Sequence, residues 1–161
     1  MLEQSLAFVE ELAAVSALRN STFLYPLVNA GHILGVSILV GGIVPLDLRL
    51  LGLWRHYPVM VFVDVLRVTA AIGLGLAVVC GALLFATAAV DYAGSPLFQA
   101  KILLVLLGVL NALILGRVLR RQNIQTLPME ARMPSKVRAG AALSLMVWIS
   151  VLVLGRLLGY F

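Results

Sequence analysis

The chain has 161 residues and a net charge of +5, 62% of its residues are hydrophobic, and its mean hydropathy is +1.08. Soluble domains are only about 45–50% apolar even with glycine counted, and glycine adds 14 residues here, so the composition excludes a soluble globular protein and indicates an integral membrane protein. Nucleic acid is not an expected partner, because most basic residues flank apolar segments as topology determinants do, and the single cysteine, Cys80, excludes an internal disulfide.

The first segment of the chain is too polar to cross a membrane. Residues 2–19 carry apolar side chains at helical spacing with glutamates on the other faces, which predicts an amphipathic helix. This helix either lies in the membrane interface or covers one end of the bundle, and the sequence leaves both open. Acidic residues stand where a signal peptide would be basic, so none is expected. Ser21 and its neighbours supply capping side chains for the next helix.

Four long apolar segments follow, and each exceeds the ~20 residues that cross the hydrocarbon layer. They are predicted at about residues 23–46, 65–90, 97–119 and 138–159, with connections at 47–64, 91–96 and 120–137. Only helices and closed barrels satisfy their backbone in lipid, and these unbroken runs lack the alternation of a barrel. The predicted fold is therefore all-α, a single transmembrane domain over residues 1–161. It is a four-helix bundle preceded by a short amphipathic helix.

The basic residues fall unevenly on the two sides of such a bundle. One side holds nine of them: Arg49, Arg55, Arg67, Arg117, Arg120, Arg121, Arg132, Lys136 and Arg138. The other side holds only Arg19, Lys101 and Arg156. Since positive charge marks the cytoplasmic side, we expect a multi-pass protein of the bacterial inner membrane with both termini in the periplasm.

Each apolar segment also carries a stripe of small residues, such as Thr69, Gly73, Ala77 and Gly81 at four-residue steps. In lipid, helices associate through close contact at small residues, because apolar burial gives no preference for a helix over a lipid tail. The stripes predict a tight bundle. They also suit assembly with further copies of the chain or with other membrane subunits.

Few polar side chains lie inside the apolar segments, and several of them are basic. His32 is roughly 14 Å along the first span, and a histidine at membrane depth indicates a functional site. Lys101 and Arg156 lie at similar depths in the same outer half, and Asn111 lies deeper on the third span. These four residues form the predicted cofactor-binding set, suited to quinone carbonyls, haem propionates or lipid phosphates. Alternatively, Lys101 and Arg156 snorkel to headgroups, and His32 bonds a backbone carbonyl.

A haem b held by two histidines is not predicted, because it needs two imidazoles that face each other at one depth. His56 lies in the first connection, at the opposite level from His32. His32 can therefore be one axial ligand, with Met146 as a conceivable second. A haem shared across a dimer and the absence of haem both stay open. Near the cytoplasmic edge, Asp47, Arg49 and Arg55 are expected to form ion pairs or to hold the connection.

Three stretches of the chain have a recognisable pattern: AGHILGVSILVGGIVPLDLRLLGL, SPLFQAKILLVLLGVLNALILG and AALSLMVWISVLVLGRLLGY. Together they resemble a family of small bacterial four-helix membrane proteins, a domain of unknown function. More distantly, the layout is similar to the membrane domain of copper-resistance protein D and to haem-binding membrane protoporphyrinogen oxidases. The resemblance implies that His32 and Lys101 are the motif histidine and lysine and that Arg156 is the late arginine. The chain departs from the pattern at Gly116, where members carry a histidine.

Three functions are compatible with these features. The first is a redox membrane protein that binds haem b or quinone in the outer half of the bundle. The second is a non-catalytic accessory or oligomeric scaffold subunit of a larger membrane complex, suggested by the small size and the missing second histidine. The third is a small transporter or channel. It has little support, because His32 is the only candidate pathway residue that lies clearly inside the bundle.

Overall fold

The computed structural model describes residues 2–121 and 132–160. This part of the chain contains seven helices and no strand, which confirms the all-α prediction. The helices are α1 (Leu2–Glu11), α2 (Ala13–Asn20), α3 (Leu24–Leu51), α4 (Val59–Ala86), α5 (Ala89–Gly94), α6 (Pro96–Arg121) and α7 (Ser135–Leu157).

Four of these helices are long and apolar enough to cross a membrane. Helices α3 and α4 have 28 residues each, α6 has 26 and α7 has 23, against the ~20 that the hydrocarbon layer requires. Large apolar side chains stay exposed along all four, as lipid-facing surfaces require. The chain is therefore a multi-pass membrane protein built on a four-helix bundle.

The four long helices pack in the order α4, α3, α7, α6. Helix α3 packs along α4 and also against α7, and α7 packs against α6. Among the described residues, α4 and α6 make almost no close backbone contact. One of the four neighbouring pairs in a ring of four helices, α4 with α6, is thus left apart, and this separation shapes the interior of the bundle.

Glycines bring α3 and α4 into backbone contact. A Cβ atom on Gly35 would lie 2.5 Å from the Ala77 nitrogen, and one on Gly42 would lie 2.8 Å from the Ala70 nitrogen. A Cβ atom on Gly73 would collide with the Leu39 nitrogen. The close approach depends on residues without side chains, as in other lipid-embedded helix pairs.

The helices begin and end at different residues from the predicted spans. Helix α3 continues through Pro45 and past residue 46 to Leu51, and α4 begins at Val59 rather than at 65, so the connection shrinks to residues 52–58. The prediction ended the first span at residue 46, because the connection that follows was expected to carry charges. Asp47 is instead part of α3 and is buried in the protein. Gly52 ends α3 with φ +119, a backbone conformation that glycine adopts without strain.

The other connections also differ from the prediction. The second long helix ends at Ala86, and the turn predicted at 91–96 is mostly the short helix α5. The polar segment predicted at 120–137 lies largely outside the described residues, since α6 runs through Arg121 and α7 begins at Ser135.

The N-terminal segment is helical as predicted over 2–19, but it is divided into two helices, α1 and α2. Leu12 separates α1 from α2 with φ −55 and ψ 132, an extended conformation. The predicted capping of the next helix is confirmed, because the Ser21 hydroxyl accepts a hydrogen bond of 3.0 Å from the Leu24 amide.

Helix α1 covers the end of the bundle where α3 begins. It packs against α5 and the last turn of α4. The Glu10 carboxylate accepts a hydrogen bond of 2.8 Å from the Val90 amide in the first turn of α5, and Arg19 lies 3.9 Å from the same carboxylate. These contacts favour the second of the two readings of this segment, a cap on the bundle.

Candidate functional site

A cavity of about 630 Å³ lies inside the bundle, near the end where α3 begins. All four long helices line it, together with Tyr92 of α5, and most of the lining side chains are aliphatic or aromatic. Its polar groups include Asn29 and His32 of α3 and Lys101 of α6. A mostly apolar cavity of this volume with a few polar groups is typical of a small-molecule site.

His32 is held in a defined orientation by α4. Its Nδ1 atom lies 2.8 Å from the Ala77 carbonyl oxygen, and a carbonyl only accepts, so Nδ1 carries the proton. Gly81 makes room for the ring, because a Cβ atom there would lie 3.0 Å from His32 Cε1. The neutral imidazole therefore keeps its lone pair on Nε2. The expected bond to a backbone carbonyl is present, but it satisfies only one of the two nitrogens.

Lys101 lines the same cavity from the opposite wall. Its Nζ and Cε atoms would lie 3.6 Å from a Cβ atom on Gly155, so the end of the side chain rests on α7. It is near enough to His32 for the two groups to interact electrostatically. Among the described residues, no carboxylate lies within 4.0 Å of the ammonium group. Lys101 is thus a half-buried cation that can donate hydrogen bonds into the cavity.

Trp148 of α7 lines the cavity, and the sequence analysis missed it. Its side chain is only 3% exposed, and its indole Nε1 has no hydrogen-bond partner. The Cε2 edge of the indole lies against Gly108 of α6, where a Cβ atom would come within 2.9 Å. One signal pointed to it: tryptophans of membrane proteins concentrate at the interfaces, and this one lies in mid-span.

Two residues of the predicted set do not reach the cavity. Arg156 is exposed, its guanidinium carbon lies 4.7 Å above the ring of Tyr160 and its Nη2 donates to the Tyr160 hydroxyl. It turns outward because this partner stands one helical turn further on the same face. Asn111 is buried, but it donates a 3.0 Å hydrogen bond to the Gly140 carbonyl and joins α6 to α7.

Neither of the residues considered as a second axial ligand, Met146 and His56, lies in the cavity. Met146 is 62% exposed and does not line the cavity. His56 lies in the 52–58 connection, with its ring 4.2 Å from that of Tyr57. The guanidinium of Arg67 occupies the space that a side chain at position 116 would need. Its Nη2 atom lies 2.7 Å from where a Cβ atom on Gly116 would be. No group of three His, Cys, Asp or Glu side chains that could hold a metal ion occurs among the described residues.

A second polar cluster lies towards the other end of the bundle. Asp47 is 2% exposed, and the Ser144 hydroxyl hydrogen-bonds to its carboxyl group. Arg49 donates to the Tyr57 carbonyl oxygen at 2.9 Å and to that of Arg55 at 3.3 Å. Of the two predicted roles for these residues, the structure shows the one in which Arg49 holds the connection.

Aromatic side chains close the cavity at the end covered by α5. The rings of Phe85 and Phe98 stack with centroids 5.2 Å apart, and Tyr92 lies 5.5 Å from Phe98. Burial, together with the neighbouring Tyr25 and Asp91, raises the pKa of the Tyr92 phenol. Tyr92 therefore stays protonated at neutral pH and remains a hydrogen-bond donor at this closed end of the cavity.

Comparison with known proteins gave no relative for this chain. No protein-family model matches it, and neither the curated proteins nor the solved structures contain a significant match.

Proposed function

We propose that this protein is a membrane redox protein that binds haem b or a quinone in the cavity between its four long helices. One observation carries the proposal: the Ala77 carbonyl fixes the proton of His32 on Nδ1 and leaves the Nε2 lone pair on the side of the ring away from α4. An imidazole oriented in this way suits either a metal ligand or a proton acceptor. A bound haem would supply one-electron chemistry, and a quinone would supply two-electron, two-proton chemistry.

The residues of the cavity fit a haem with one protein ligand. His32 would coordinate through Nε2 while Ala77 orients the ring, as outer-shell partners of metal-bound histidines do. Lys101 would hold a propionate, because its ammonium group has no carboxylate partner among the described residues. The aliphatic walls would exclude water from the macrocycle.

The same residues fit a quinone. Lys101 would donate to a carbonyl oxygen, and His32 Nε2 would accept a proton from the quinol hydroxyl. Both groups belong to one apolar cavity, where hydrogen bonds are stronger than in water.

The test is the cofactor content of protein purified in a mild detergent. We expect either a Soret band with a reduced-minus-oxidised difference spectrum or an extractable quinone. His32→Ala should lose at least 90% of it, since the oriented nitrogen is removed. His56→Ala is the matched control, because it removes the other histidine from an exposed connection, and it should retain the cofactor.

Two results would contradict the proposal. One is protein that carries neither a Soret band nor a quinone, and the other is equal cofactor content in the two histidine variants. The accessory or scaffold function would then account better for the chain, with co-purifying membrane subunits or a homo-oligomer as its mark. A transporter function would be tested next.

The proposal also includes a membrane location and membership in a protein family. The protein would lie in a bacterial inner membrane with both termini in the periplasm, supported by the nine-to-three distribution of basic residues. Membership in the four-helix family of unknown function rests on the sequence pattern around His32, Lys101 and Arg156.

A further inference from the structure

The cavity opens sideways onto the surface of the bundle that faces lipid. Helices α4 and α6 both line it, yet they make almost no close backbone contact with each other over the described residues. Val78 of α4 and Ile102 of α6 line the cavity and are also 55% and 42% exposed. A gap between apolar helix faces admits a ligand that is dissolved in the membrane.

Trp148 forms part of the wall at the deep end of the cavity. Its indole packs against Gly108 of α6, and its Nε1 atom has almost no accessible surface, so a ligand there meets the indole ring and not the N–H group. An uncharged ligand suits this apolar end, because a phosphate or carboxylate would lose its hydration at this depth.

The contact of Lys101 with α7 gives its level in the cavity. Its Nζ would lie 3.6 Å from a Cβ atom on Gly155. Gly155 and Trp148 are seven residues apart on α7, so Lys101 lies about 10 Å along the helix axis from the level of the tryptophan.

His32 lies at the same level as Lys101. Leu39, seven residues beyond His32, belongs to the same buried cluster as Trp148, so His32 is about 10 Å away from the indole along α3. A donor and an acceptor therefore stand together at one end of the cavity. Lysine can donate to a quinone carbonyl there, and the imidazole Nε2 can accept from a quinol hydroxyl.

We propose that the cavity is an exchange site for a para-quinone, which enters from the lipid between α4 and α6. Lys101 donates to one of its carbonyl oxygens, His32 Nε2 accepts from the hydroxyl of the quinol, and the quinone lies close enough to the indole of Trp148 to quench its fluorescence. This inference rests on the proposed redox function and commits it to a diffusible ligand that the site binds and releases.

Tryptophan fluorescence gives a direct test, because the chain has only two tryptophans. Trp54 lies in the 52–58 connection, outside the cavity. In Trp54→Phe, the emission reports on Trp148 alone. We expect a ubiquinone analogue with a short tail, such as decylubiquinone, to quench it saturably in lipid nanodiscs. Trp148→Phe, which keeps Trp54, should show only the linear quenching of a quinone partitioned into lipid.

A lysine variant tests the polar end of the site. Lys101→Met in the Trp54→Phe background should raise the dissociation constant at least about tenfold, the loss of one hydrogen bond to a charged donor. Lys136→Met, at an exposed position near the opposite end of α7, is the matched control and should leave the constant unchanged. The inference is supported if quenching saturates, Lys101→Met weakens quinone binding at least about tenfold, and Lys136→Met leaves it unchanged.

Quenching of Trp148 that never saturates would overturn the inference, and so would equal weakening by the two lysine variants. If the purified protein carries haem and the quinone titration stays linear, the exchange site is refuted while the redox function stands. If neither haem nor saturable quinone binding is found, both fail.

Discussion

At the scale of single residues, the position of one proton decides what His32 can do. The Ala77 carbonyl takes the Nδ1–H, so the free lone pair points away from α4. This arrangement requires Gly81, because the ring occupies the space where a side chain would start. The position of the imidazole therefore depends on Gly81, and a side chain at position 81 should displace the His32 ring.

Gly81→Val should displace the His32 ring and break its bond to Ala77. A Cβ atom at this position would lie 3.1 Å from Nδ1, and the extra methyl groups cannot fit without moving the ring. We expect at least a severalfold loss of bound cofactor and a change in the imidazole ¹⁵N chemical shifts, which report the tautomer. Gly75→Val is the control, since it lies on the same helix with nothing within 4 Å. Unchanged ¹⁵N shifts in Gly81→Val would refute the coupling.

At the scale of the helices, the bundle is fixed most firmly where α3 meets α4. Three glycines allow backbone atoms of the two helices to touch, so a side chain at these positions cannot be accommodated by rotating a neighbouring side chain. Elsewhere the contacts are looser, and α4 and α6 are held apart over most of their described lengths. Tight packing on one side thus coexists with a cavity on the other.

Gly35→Val should destabilise the bundle by about 1–3 kcal/mol or more, the usual range for overpacking. Its Cβ would lie 2.5 Å from a backbone nitrogen of α4, which cannot move without shifting the helix. The measurement is the free energy of unfolding in mixed micelles. Gly41→Val, also on α3 but with nothing within 4 Å, should stay within about 0.5 kcal/mol of the parent protein. Equal losses in both variants would contradict the backbone contact as the cause.

At the scale of the whole molecule, charge and hydrophobicity set how the bundle lies in a membrane. Neighbouring long helices run in opposite directions, as the contacts of His32 with Ala77, of Asp47 with Ser144 and of Lys101 with Gly155 show. An even number of crossings leaves both termini on one side. Helix α1 covers the end of the bundle where the candidate cavity lies, and the basic residues concentrate at the other end. The proposed orientation places the cavity in the periplasmic half.

Cysteine labelling in intact bacterial cells tests this orientation. Cys80→Ala provides a background without cysteine, into which Glu3→Cys or His56→Cys is introduced at an exposed position. A membrane-impermeant maleimide should label position 3 in intact cells and position 56 only after permeabilisation. The reverse pattern would show that the distribution of arginine and lysine does not determine the orientation of this chain in the membrane.

The sequence by itself determined the number of spans, the all-α bundle and the presence of His32 and Lys101 at membrane depth. Those features depend on the apolar content of local segments and on where charges interrupt them, which can be read along one chain. The bounds of the helices were less well predicted, because Asp47 is buried beside Ser144 of α7, which is distant in sequence.

Only the tertiary structure decided which polar groups share a cavity. Each residue turns about 100° around its helix axis, and a helix such as α3, apolar on every side, carries no pattern that marks its inner face. Rotation about the axis brought Trp148 into the cavity with His32 and Lys101 and left Arg156 on the surface beside Tyr160. That rotation is fixed by contacts between helices, above all at the glycines of α3 and α4.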